Sequence, residues 1–163
     1  MSNDEYDLQV LLELREKEKD EAQQLYADEV QELQRRESYL ENKQKELEEK
    51  IDSRKSQRDR LDERRYEGEA SMAELRQFEA YLKGLKQDEK QLREEIERAR
   101  EAVEDQRERV KEAKSELARA TKELEAVERH REDWEEEQER IEKRRKSSEM
   151  DDVAARIWRE NNS

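Results

Sequence analysis

Apolar residues recur along this chain at alternating steps of three and four. From residue 72 onward the series runs Leu75, Phe78, Leu82, Leu85, Glu89, Leu92, Ile96, Ala99, Val103, Gln106, Val110, Ala113, Leu117, Ala120, Leu124, Val127, Arg131, Trp134, Gln138 and Ile141. Sixteen of these twenty positions are apolar, where a chain that is 30% hydrophobic would place about six by chance. A heptad sustained for so long predicts a left-handed coiled coil. The first third follows a weaker version of the rule. Leu33, Leu40 and Leu47 fall seven apart, Ile51 and Leu61 keep the register, and Tyr26 and Val30 extend it upstream. Glu37, Gln44, Arg54 and Arg58 then occupy seam positions. Leu8, Leu11, Leu12 and Leu14 form a denser patch near the start.

The two series are separated by one punctuation mark. Gly68 is suited to end a helix, because it takes positive φ without a Cβ penalty. Ser71-Met72-Ala73-Glu74 has the capping-box pattern that opens the next. The prediction is a single all-α unit over residues 1–163. Helix one runs over about 5–66, a turn over about 67–71, and a longer helix two over about 72–158. Folding about Gly68–Glu69 sets residue i opposite 138 − i, so Leu40 meets Ala99, Leu47 meets Leu92 and Leu12 meets Val127. The hydrophobics line up, which favours a long antiparallel two-helix coiled-coil hairpin in one chain. The competing arrangement is a parallel dimer. In the hairpin, helix one ends opposite about residue 133. The segment from Trp134 to Trp158, with Ile141, Val153 and Ile157, is left as an overhang that either frays or docks.

Composition narrows the functions. Charged residues make up 52% of 163, and 49 acids against 36 bases give a net charge of −13. Globular domains are nearer a quarter charged, so no multilayered core is expected. Strand-forming composition is missing as well. The chain has no cysteine, one histidine and two glycines. That leaves no thiolate or multi-histidine metal site, no phosphate-binding glycine loop, and no cofactor to expect. His130 is read as a solvated helix residue, and the abundant carboxylates are uninformative because any spacing arises by chance. Lys143-Arg144-Arg145-Lys146 is flanked by acids and reads as a solvated helix face. The net charge argues against nucleic acid or anionic lipid as main partner. No apolar run approaches a membrane span, and the acidic opening Met1-Ser2-Asn3-Asp4-Glu5 does not look like a signal peptide. A cytoplasmic protein is expected, so the sequon Asn161-Asn162-Ser163 would go unused. Tyr66, Phe78 and Tyr81 near the turn either fill the hairpin tip or line a partner groove.

The stretch Leu8-Gln9-Val10-Leu11-Leu12-Glu13-Leu14-Arg15-Glu16-Lys17-Glu18, the Val/Ala/Leu seam from Ile96 to Val127, and the closing segments Glu128–Trp134 and Glu149–Ala154 resemble the FliJ/YscO family of type III export proteins, flagellar and injectisome alike. The resemblance implies a non-enzymatic stalk similar to the coiled coil of the rotary ATPase γ subunit. Paired termini would enter the hexameric export ATPase and promote its assembly and activity. The rest would reach the cytoplasmic domain of the export gate, with export chaperones as further partners and the membrane met only through them. Carried over, the ATPase-facing residues are Leu8, Leu11, Leu12, Leu14, Val127, His130, Trp134 and Ile141. The gate-facing residues are Phe78, Tyr81, Leu82 and Leu85. The strong acidity departs from relatives nearer neutrality and puts purely electrostatic docking in doubt. A generic coiled-coil spacer and an export escort remain the alternatives.

Overall fold

A helix that can bury only one stripe needs a second stripe against it. In the computed structural model the backbone is described for residues 2–162 and side chains for residues 8–162. The described residues form two helices, α1 (Ser2–Tyr66) and the longer α2 (Met72–Asn161), packed against each other as an antiparallel hairpin. Contacts divide the chain into two compact units. One is the hairpin proper, Leu25–Lys114; the other joins α1 up to Gln24 with α2 from Ser115.

The turn is made by backbone geometry. Gly68 has φ of 69°. The Gly68 amide donates to the Arg65 carbonyl at 3.3 Å and the Glu69 amide to the Arg64 carbonyl at 3.1 Å, which is a Schellman ending. The Glu74 amide donates to Ser71 Oγ at 3.2 Å, capping α2. The Glu74 carboxylate, expected to reach back to the Ser71 amide, accepts from Arg64 Nη2 across the turn at 3.2 Å.

Every fully buried residue of α2 among the described ones lies on the predicted seam. In the hairpin unit these are Glu89, Leu92, Ile96, Ala99, Val103, Gln106 and Ala113, with Leu61 of α1. In the other unit Leu12 packs on Leu124 and Val127, with Ala120 buried as well. The register is the one set by the turn: Arg36 meets Ala102, Lys43 meets Glu95, Arg64 meets Glu74 and, in the second unit, Arg15 meets Glu123.

On α1 the structure corrects the seam. Leucines seven residues apart fix one core position per heptad and leave open whether the other lies three or four residues on. The sequence reading took four, through Glu37 and Arg58, but both are exposed. Arg36 and Gln57, along with Lys43 and Lys50, are half-buried, while Gln44 and Ile51 are half-buried as the sequence reading expects. Of these, Arg36 and Lys43 carry their polar heads across to α2, as a long side chain can while its stem stays over apolar surface. Arg36 Nη1 donates to the Ala102 carbonyl at 2.9 Å, and Lys43 Nζ reaches Glu95 at 3.3 Å.

Two polar contacts lie inside the seam. Arg54 Nε donates to Glu89 Oε1 at 2.5 Å, with side chains 15% and 5% exposed. Gln106, which has no exposed surface, donates through Nε2 to the Glu29 carbonyl at 2.9 Å and to Glu29 Oε2 at 2.5 Å. Its Oε1 has no partner, nor does that of Gln57.

Two outcomes are expected from thermal or urea unfolding followed by circular dichroism. A Cβ at Gly84 would meet nothing within 4 Å, so Gly84→Ala should stabilise by about 1 kcal/mol, whereas Gly68→Ala at positive φ should destabilise by about as much. Arg54→Ala strands the buried Glu89 carboxylate and should cost about 3 kcal/mol, while Arg54→Leu combined with Glu89→Leu should recover that loss.

Candidate docking surfaces

Three stretches of surface depart from the solvated, charge-paired pattern of the remaining faces. The first is the N-terminal end of α1 and its neighbours on α2. Helical geometry allows only one side of the Leu8–Leu14 cluster to face α2. Leu12 is buried with Val127, and Leu8 is half-buried, lining a small cleft with Gln9, Arg131, Trp134 and Glu135. Arg15, one turn on from Leu12, donates to both Glu18 at 2.9 Å and Glu123 at 3.1 Å; the bond to Glu18 chiefly raises its already high pKa. Val10, Leu11 and Leu14 face away from α2 and are exposed, Leu14 by 47%. His130 and Ile141 are exposed too. Of the eight residues assigned to this end, Leu8, Leu12, Val127 and Trp134 belong to the helix–helix seam. Leu11, Leu14, His130 and Ile141 are free to meet something else.

Trp134 also corrects the expected overhang. It is half-buried and shares a small cleft with Leu8 and Gln9 of α1. The segment without a partner helix starts later. From residue 143 to 162 every described residue is exposed. Here Met150, Val153, Ile157 and Trp158 recur at helical spacing, with Ala154, as one apolar stripe; Trp158 is 68% exposed. Continuing the α2 heptad gives Arg145, Ser148, Asp152, Ala155 and Arg159. The stripe therefore lies on the opposite side of the helix from the seam. Met150 was missed in the sequence reading; its spacing to Val153 and Ile157 was the available signal. The basic run Lys143–Lys146 is solvated, with Arg145 held by Glu142 at 2.8 Å.

The third stretch is near the turn. Phe78, Leu82 and Leu85 are half-buried on the seam, and Tyr81 stands beside it, about half exposed. The Phe78 and Tyr81 rings meet edge to face, centroids 6.1 Å apart and planes at 68°. Thus Phe78 fills the tip beside Tyr81, which keeps about half its surface in solvent. Tyr66 and Met72 are exposed at the turn itself. Next to these residues a cleft of about 270 Å³ opens between the helices, lined by Leu61 and Leu82 and by several basic side chains. It is invisible in the sequence, since its two walls come from different helices on either side of the turn.

A groove further along the same unit is lined by Tyr39, Arg36, Glu95 and Ala99 among others, and several of its charges are paired. Arg36 and Arg35 both donate to Glu32, and the Arg36 bond chiefly holds that carboxyl below its ordinary range. Lys43 sits 5.5 Å over the Tyr39 ring and is raised above the usual lysine value, mainly by its bond to Glu95.

Among the described residues no group of three or more His, Cys, Asp or Glu is placed to hold a metal ion. No helix is long and apolar enough to cross a membrane. The surfaces built here suit protein contact: apolar side chains on helical faces, ringed by charge.

No curated protein and no solved structure matches the sequence. A family model does match, described as that of YscO-like proteins, over residues 3–162. The family is associated with type III secretion and is not known for an enzymatic activity. With the match covering both helices and the turn between them, the chain belongs to the YscO-like family.

Proposed function

We propose that this chain is the non-catalytic central stalk of a type III export apparatus, flagellar or injectisome, working at its cytoplasmic face. Its paired helix ends enter the hexameric export ATPase and promote assembly and hydrolysis, while the turn end reaches the cytoplasmic domain of the export gate. The family match supports the setting. The observation that carries the stalk reading is the division of labour at the N-terminal cluster. Leu12 and Val127 are spent on holding the helices together, while Leu11 and Leu14 are left exposed on the same turns. Leu11, 36% exposed, and Leu14, 47% exposed, leave apolar surface in water beyond what the helix seam covers. A pore lined with apolar side chains would bury them, at about 1.5–3 kcal/mol each when fully covered.

A second reading, as an escort for export chaperones or their clients, is favoured by the stripe Met150–Trp158, which nothing in the hairpin uses. The two readings make different demands on the same molecule.

Adding the wild-type protein to the cognate ATPase should raise both turnover and the hexamer fraction measured by light scattering. Leu11→Glu combined with Leu14→Glu should leave the helical signal intact, because both side chains face solvent. Half-stimulation should then need at least about ten times more protein, the effect of losing some 1.4 kcal/mol of contact. Unchanged stimulation by the double variant would remove this end from the interface. No stimulation by the wild type, together with retention of chaperones through the Met150–Trp158 stripe, would favour the escort.

A further inference from the structure

The stripe Met150–Trp158 has a symmetry that helical spacing alone does not require. Met150 and Ile157 lie equally far from the midpoint between Val153 and Ala154. The apolar pattern therefore reads the same from either end. Charge does not. Within residues 149–159, Glu149, Asp151 and Asp152 precede that midpoint, while Arg156 and Arg159 follow it. A segment that is palindromic in its apolar residues and opposite in charge at its two ends is complementary to itself turned end for end.

Helical geometry makes the match specific. At 3.6 residues per turn, Glu149 and Arg156 stand on the same flank of the stripe. An antiparallel pair keeps that flank against its own copy. Glu149 of each helix then lies beside Arg156 of the other, twice by symmetry, and Trp158 falls beside Met150 of the other copy. The basic run Lys143–Lys146 comes opposite the segment around Glu160. Flank charges of this kind set orientation in paired helices, and a parallel pair in register would face Glu149 with Ala154 instead. Within the chain Glu149 is held loosely, 3.9 Å from Arg145, with both side chains mostly exposed. We infer that the protein pairs with a second copy of itself through this stripe, the two C-terminal helix segments antiparallel and centred between Val153 and Ala154.

The stripe lies on the side of α2 away from the seam, so a second helix covers it without displacing α1. A lipid surface fits it less well. Helices that lie in a membrane interface are rich in Lys and Arg on the polar face, whereas here Glu149 and Asp151 border the stripe on its two sides. Pairing does not depend on the stalk: a chain that stimulated no ATPase would still pair. An escort that keeps the same stripe for chaperones would be a monomer by itself, so the two occupants predict different masses for the chain alone.

Sedimentation equilibrium of the full-length protein reads that mass. A patch this small supports association of about micromolar strength. The mass should therefore rise from 19.9 kDa toward twice that value as the concentration is raised over about 1–100 μM. Val153→Glu with Ile157→Glu, at positions exposed in the single chain, should keep the helical signal and remain monomeric throughout. Glu149→Arg should weaken pairing about tenfold, the scale of trading two exposed ion pairs for two repulsions, and adding Arg156→Glu should restore it. A wild type that stays monomeric overturns the proposal and leaves the stripe to the escort reading. Pairing that survives Val153→Glu with Ile157→Glu, or that the charge swap fails to restore, overturns it too.

Discussion

Two long helices in water have little reason to stay formed unless each covers a stripe of the other. In this chain the stripe is narrow, and the two partners contribute to it unequally. On α2 sixteen of the twenty core positions are apolar. On α1 one is leucine or tyrosine, except at Arg54, and the other is Arg36, Lys43, Lys50 or Gln57. An Arg or Lys at such a position still covers apolar surface with its stem, but it needs somewhere for its head to go. The carbonyl of Ala102 and the carboxylates of Glu95 and Glu89 supply that place. Packing and polar satisfaction are therefore not separable along this seam. The same side chain does both.

That coupling bears on register. A purely apolar two-helix seam can slide by a heptad at small cost, since each leucine finds another leucine. Gln106 bonded to Glu29, and Arg54 bonded to Glu89, cannot slide without leaving a buried polar group unpaired. Replacing buried ion pairs with apolar residues is often neutral or stabilising, so these contacts are better understood as fixing alignment than as adding stability. The Schellman ending at Gly68 and the Ser71 cap set the same alignment from the turn. Local geometry and seam chemistry thus specify one arrangement by independent means.

The parts legible in the sequence were those governed by period and punctuation. The α2 seam could be read because both of its heptad positions are apolar and the period declares itself. The turn could be read because glycine at C′ and serine at the N-cap have few other uses in so helical a chain. The second seam position of α1 could not be read, because polar residues fill it and leucines spaced by seven do not say on which side the other knob falls. Glu37 and Arg58 were placed inside for that reason. The start of the overhang was misplaced at Trp134 because that residue leans back along the helix to share a cleft with Leu8 and Gln9, which counting residues opposite the turn does not show. Which of Leu8, Leu11, Leu12 and Leu14 face outward, and that Arg58, Lys83 and Lys86 share one cleft, are facts of rotation and register. They become visible only once two helices are set side by side.

The C-terminal stripe shows what an outward face can say about use. Along most of α2 the side opposite the seam is charged, as a helix exposed to water requires. Beyond residue 143 the seam positions turn polar, while the opposite side acquires Met150, Val153, Ile157 and Trp158. Had the stripe continued the seam, a longer α1 could have covered it, and it would be an unfinished piece of hairpin. Rotated by half a turn, it cannot be completed by anything that extends the helix pair. Four large apolar side chains at helical spacing on that side therefore form a face that the coiled coil itself does not use.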